Sequence, residues 1–395
     1  MRARHLTAAA LVSIVVSAVF GRIAWGMFVR FDDFNDHLLI AQRLYETGRP
    51  AVPHFLFHGV TAALHAVLSA KSFLVAGALA TVAAHFLTGG VTYAVYWNEF
   101  RGSRLAAPRL LAVLSLITLI AQPITIAQAY TLGYFWPEPY HSPTYAMLKP
   151  FALAGFAGTA WFLTRRQSSV GLVVLLGVVT IAGALSKPSF VICVLPAALL
   201  MTAYRLWRRQ PLSMRSLIVG LYAPAVAVLG WQFLVAFSGT GDAGMYQDSV
   251  SWGPLKVMRY WTTGLPVKFL ASVLFPVTVT ALYWPLARRD TLLQFAWLCF
   301  GFGAMYSYGL VETTNWTAGN FLWSGYITLL TLLVATTIFW LRQAASAAGR
   351  WPVMRALVCG AVLALHVVSG ARVTWLYLTH YGCRVDFRLV EYVCS

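Results

Sequence analysis

The sequence predicts an all-α integral membrane protein, and three observations carry that prediction. Only 10% of its 395 residues are charged and 59% are hydrophobic, whereas a soluble domain of this size carries roughly a quarter charged residues. Apolar stretches of about 20 residues, enough to cross a bilayer as a helix, follow one another almost end to end. The third observation is the ordering of charge. The chain has a formal net charge of +17, and its basic residues fall in short clusters between the apolar runs. That distribution excludes a nucleic-acid-binding surface and matches the cytoplasmic loops of a multi-pass protein.

The first predicted span covers 7–28. It follows a basic start, "MRARHL", and is interrupted only by Arg22. No small-x-small cleavage site precedes Asp32, so the stretch reads as an uncleaved span rather than a signal peptide. Ten further spans are predicted at 72–97, 110–131, 148–164, 168–185, 189–205, 216–238, 266–286, 291–310, 322–341 and 356–378, about eleven in all. The whole of 1–395 reads as one polytopic domain, with 29–71 as a first outer loop and 379–395 as a short outer tail.

Charge sets the orientation. With the N-terminus in the cytoplasm, 16 of the 29 Lys and Arg lie inside, among them Arg101, Arg104, Arg109, Arg165, Arg205, Arg342, Arg350 and Arg355. Of the twelve Asp and Glu, only Glu99 and Asp290 fall on that side. Both asymmetries favour an N-in, C-out arrangement.

The first outer loop contains "RFDDFNDHLLIAQRLYETGRP", with four of the chain's twelve acids. A weak apolar stripe through Phe34, Leu38, Ala41 and Tyr45 predicts one interfacial helix. "HFLFHGVTAALHAVLSAK", residues 54–71, predicts a second: His54, His58 and His65 share a face beside Leu56, Val60, Ala63 and Val67. Aspartates at a helix N-terminus complement its dipole, which accounts for one or two carboxylates. Asp32, Asp33 and Asp36 together, with His37 one turn after Asp33, point to a site that binds a cation or removes a proton.

Other outer segments supply further candidates. "GYFWPEPYHSPTYAMLKP", residues 133–150, holds four prolines that predict a non-helical aromatic loop, with Glu138 and His141 at its middle. There Trp136, Tyr140 and Tyr145 are candidates for an interfacial belt or for stacking on a sugar. Lys187, in "ALSKPSF", either reaches the headgroups or binds phosphate. Lys256, Arg259 and Lys268 oppose the positive-inside bias, and Glu312 adds another outer carboxylate. Arg372 falls inside the last span, where a charge costs about 2.5–3.5 kcal/mol and marks a functional-site candidate. Cys193, Cys299 and Cys359 read as packing residues, while Cys383 and Cys394 are positioned to close a small disulfide loop if the compartment is oxidising. Zinc-type spacings, phosphate-binding glycine motifs, GxSxG and HExxH are absent.

In its architecture the chain resembles the GT-C superfamily of polytopic glycosyltransferases. The features that carry the resemblance are the N-in first span, the acidic "FDDFNDH" directly after it, the two interfacial helices, and many spans with polar loops on one face. The resemblance implies a glycosyltransferase that takes a sugar from a polyprenyl-phosphate donor. The sugar passes to an acceptor glycan, lipid or protein on the outer face of a bacterial inner or plasma membrane. It places the base or a metal ligand at Asp32 or Asp33. Substrate contacts then fall to Asp36, His37, Glu138, His141, Lys187, Lys256, Arg259, Glu312 and Arg372. A divalent cation, Mg2+ or Mn2+, would be held by Asp33, Glu138 and His141. The partners expected are the polyprenyl-phosphate-linked sugar donor, the lipid bilayer and the acceptor, with no nucleic acid. The reading from another class is a transporter or flippase of an anionic lipid or solute, which would gather ionisable residues near the bilayer midplane instead of at one face.

Overall fold

A computed structural model describes residues 2–29, 33–69, 72–125, 133–165, 169–237, 249–314, 316–379, 383–386 and 391–394. The helices are α1 (Arg2–Val29), α2 (Asp33–Thr47), α3 (Leu56–Leu68), α4 (Phe73–Phe100), α5 (Pro108–Ile120), α6 (Pro143–Thr164), α7 (Val170–Ser186) and α8 (Val191–Trp207). After them come α9 (Met214–Leu217), α10 (Ala223–Phe237), α11 (Lys256–Trp261), α12 (Leu265–Leu282), α13 (Trp284–Ala287), α14 (Thr291–Gly309), α15 (Leu322–Ala345) and α16 (Arg350–Thr379). Seven of the described helical stretches are long and apolar enough to cross a membrane, and the chain is an all-α, multi-pass membrane protein. Helices α7 and α8 are apolar but shorter, at 17 residues each.

The bundle is organised around α15. Apolar residues and threonines occupy every side of this helix, and 89% of its most apolar window is buried, against 22–44% for most other long helices. A helix that is hydrophobic all round belongs in the interior. Its threonine hydroxyls donate to carbonyls of their own helix, as Thr328 does to Ser324 at 2.6 Å and Thr337 to Leu333 at 2.8 Å. Thr336 Oγ1, by contrast, is buried with no hydrogen-bond partner among the described residues. Exposed valines and leucines cover α7 and α10 instead, as on a lipid-facing surface.

Residues 33–47 and 56–68 form helices, as the sequence predicts for the segment between the first two apolar helices. Phe34, Leu38 and Ala41 are the buried stripe of α2. In α3 the buried face runs through Phe57, His58, Thr61 and Ala62. Of the neighbouring stripe, Leu56 and Val60 are half-buried against the core, while Ala63 and Val67 are exposed, Val67 by 79%.

Three expectations are corrected. The predicted span 110–131 is not one helix: α5 stops at Ile120, and 121–125 is extended. Pro123 disfavours helical backbone at Gln122, which ends the helix there. The extended backbone is satisfied by its neighbours, Gln122 N–H donating to His366 O at 3.0 Å and Ile124 N–H to Ala271 O at 3.1 Å. Irregular backbone survives at such a place because protein, not lipid, surrounds it. Gly370 of α16 lets the chain pass, since a Cβ there would lie 1.7 Å from Ile120 O.

The second correction concerns the proline-rich loop. It ends at Ser142, and α6 begins at Pro143 and continues through Pro150. Pro143 takes the first helical position, where its missing N–H is no loss. Third, Trp136, Tyr140 and Tyr145 are buried core residues and not a belt or a sugar platform. The Tyr145 hydroxyl donates to Pro137 O at 3.0 Å, and the Tyr140 hydroxyl bonds Thr374 at 2.7 Å.

Two small antiparallel ribbons complete the structure. One pairs β1 (Val250–Trp252) with β2 (Leu310–Glu312); the other pairs β3 (Cys383–Asp386) with β4 (Glu391–Cys394). Cys383 stands opposite Cys394 in the backbone register.

Candidate functional site

The N-terminal turn of α2 places Asp33 at one end of the bundle, its side chain 43% exposed. One turn later, His37 Nε2 lies 3.5 Å from Asp33 Oδ2. The other ring nitrogen of His37, Nδ1, lies 2.9 Å from Nε2 of His58 on α3. His58 is fully buried, and its Nδ1 has no hydrogen-bond partner. The α2–α3 pair therefore builds a chain from a half-exposed carboxylate through two imidazoles into the protein. The His54 ring stands 6.5 Å from that of His58.

Lys187 follows the last residue of α7. It does not reach outward. Its side chain is buried, with Nζ 4.4 Å from the centre of the Trp323 ring and 3.5 Å from Thr144 Oγ1. Trp323 opens α15, and the rings of His141 and Tyr145 lie 5.1 and 5.4 Å from it. Four segments distant in sequence thus meet at the Asp33 end.

Electrostatics joins these groups. Burial raises the Asp33 carboxyl, but the hydrogen bond and charge of His37, with Lys187 and His141, hold it below the usual aspartate value. Burial lowers Lys187 to about 8, and the carboxylates of Asp33 and Glu312 oppose that fall. Burial, His37 and Lys187 together push His58 down to about 3. Burial, reinforced by Lys187, His58 and His37, holds His54 well below its ordinary value. At neutral pH the site therefore holds an ionised aspartate, neutral His54 and His58, and a lysine poised near its titration point.

The remaining candidates are scattered. Asp32 lies outside the described residues. Asp36 is exposed on the first turn of α2. Glu138 is buried and forms an ion pair with Lys149, whose Nζ also lies 3.5 Å from His85 Nδ1. Glu312 accepts from Asn320 at 2.7 and 3.0 Å. On α11, Lys256 sits 4.5 Å over the Trp316 ring and Arg259 is exposed. Lys268 Nζ donates to Thr262 Oγ1. Arg372 is exposed on α16, with no described carboxylate within ion-pair distance. Asp33 and His141 share one end of the bundle while Glu138 is paired with Lys149, and among the described residues no three His, Cys, Asp or Glu form a metal-binding group.

Trp323, Thr144 and Lys149 were not apparent as site or core-polar residues from the sequence. Lys149 carried a signal, being a cation inside an apolar run. Trp323 carried none, since aromatic residues at helix ends are common in membrane proteins. No protein-family model matches the chain, and no curated protein matches it.

Proposed function

We propose that the protein is a membrane glycosyltransferase that moves a sugar from a polyprenyl-phosphate donor to an acceptor hydroxyl. Its active site is the Asp33 end of the bundle. The observation that carries this reading is the meeting of an ionised, half-exposed Asp33 with the buried Lys187 ammonium beneath Trp323, at a helix-capped end of a membrane bundle. Asp33 accepts the proton of the acceptor hydroxyl as its oxygen bonds to the anomeric carbon. The bond from that carbon to the phosphate oxygen breaks, and the phosphate leaves with the electron pair. Lys187 offsets the charge that develops on the departing phosphate. His37 holds Asp33 in place, and its partner His58, neutral in the interior, fixes the His37 ring. A lipid-borne donor suits a site at the membrane boundary, because its phosphate emerges where the acyl chain ends.

In this reading the Asp33 end faces outward from a bacterial inner or plasma membrane; the charge bias of the loops supports the outward orientation. Among the described residues no three His, Cys, Asp or Glu gather as a site for Mg2+ or Mn2+, and no step is routed through a metal.

The test uses purified protein and a panel of radiolabelled polyprenyl-phosphate sugars. Label should leave one lipid in the wild type and remain on it in Asp33→Asn. Retention of label on every donor, with movement of an anionic lipid or solute across reconstituted vesicles, would instead establish the transporter reading.

A further inference from the structure

At the opposite end of the bundle a cavity of about 470 Å3 opens where α4, α6, α14 and α15 terminate. The two ends are well separated: Trp323 and Arg342 are 19 residues apart on α15, about 28 Å of helix. One arginine of this cavity is fully compensated. Arg342 pairs with Glu99 and, at 3.4 Å, with Asp290. Those are the two acids that the charge bias assigns to the cytoplasmic face.

The other two arginines are not compensated. Arg165 lies 3.7 Å from the centre of the Trp161 ring, and Arg101 lies 5.7 Å from it, so both guanidinium groups gather at one indole. Neither has a described carboxylate within ion-pair distance. Two like charges held at one aromatic wall repel unless an anion sits with them. Both arginines line the cavity, with Arg165 in close cation–π contact with the indole.

We propose that this cavity binds a phosphate group, presented by Arg101 and Arg165 on the Trp161 wall. Guanidinium matches phosphate with paired charge-assisted hydrogen bonds. Basic pockets between spanning helices on the cytoplasmic side are suited to anionic lipid headgroups, and the volume falls in the range of small-molecule sites. The phosphate reaches the cavity either on a lipid of that leaflet or free in solution. The inference is independent of the chemistry proposed at the Asp33 end.

The test uses the delipidated full chain, with short-chain phosphatidic acid, short-chain phosphatidylcholine and inorganic phosphate as probes. Dissociation constants are measured by thermophoresis. Phosphatidic acid should bind in preference to phosphatidylcholine, and Arg101→Gln with Arg165→Gln should weaken it by at least about tenfold, as loss of charged hydrogen bonds implies. Thr164→Trp, which fills the cavity and removes no charge, should block binding as well. It also decides the matter if the double arginine variant does not fold. Arg104→Gln should bind like the wild type. Inorganic phosphate competing at similar concentration identifies a soluble ligand; competition only at far higher concentration identifies the lipid. Unchanged affinity in Thr164→Trp, or equal binding of both lipids with no phosphate competition, overturns the proposal.

Discussion

Asp33 and Lys187 illustrate how little of a residue's chemistry is fixed by its type. An aspartate at the first turn of a helix serves many proteins only as a dipole complement. Here His37, Lys187 and His141 keep it ionised despite its partial burial. Asp33→Asn should therefore abolish sugar transfer while changing stability by no more than about 0.5 kcal/mol, as for a residue outside the core. Parallel measurements of label release and thermal unfolding check this; normal turnover in the variant removes Asp33 from the mechanism. Lys187 gives a pH prediction. Its ammonium is charged below about 8 and neutral above it. Donor binding should accordingly fall as pH rises through 8, and Lys187→Arg should move that alkaline limb upward because arginine stays protonated. His58, lowered to about 3, should contribute no limb near neutrality. An alkaline limb unmoved in Lys187→Arg would assign it to another group.

At the scale of elements, the buried Glu138–Lys149 pair ties the 133–142 loop to the body of α6. Breaking such a pair strands a charge, so Glu138→Gln should cost about 3–5 kcal/mol, and Glu138→Leu with Lys149→Met should recover much of the loss. Denaturant unfolding of the single and double variants separates this from a direct role in turnover. Where α16 crosses the end of α5, Gly370→Ala should cost at least about 1–3 kcal/mol. The atom it meets is backbone and cannot rotate away. The outer-loop helices were legible because their apolar stripes repeat at helical spacing. The break after Ile120 was not, because "AQPITIAQ" is apolar enough to span. The carbonyls of His366 and Ala271 and the hydroxyl of Ser369 show where its described backbone donors go.

For the whole molecule, the charge bias implies a single orientation. Cysteines replacing Glu46 and Thr263, in a chain whose Cys383 and Cys394 are serine, should react with a membrane-impermeant reagent in intact cells. Those replacing Ser103, Gln210 and Ala345 should be protected; all five positions are exposed in the fold. The reverse pattern would put the Asp33 site in the cytoplasm. Convergence of Glu99, Asp290 and Arg342 supports the grouping on which this rests, since three loops assigned to one face do share one end of the bundle.

Sequence alone determined that the chain is a helical membrane protein and where most of its apolar helices lie. Segment length, hydropathy and charge order are properties of the chain in one dimension, and a bilayer acts on them directly. Tertiary structure decided which polar residues meet. Lys187 lies 136 residues from Trp323 and Glu99 lies 243 from Arg342, separations over which spacing carries no information about contact. The same packing took Glu138 out of the candidate site and into the core, and brought Lys187 in beside Asp33. A buried charge settles where partners and van der Waals contacts offset its lost hydration, and those partners exist only once the helices have assembled.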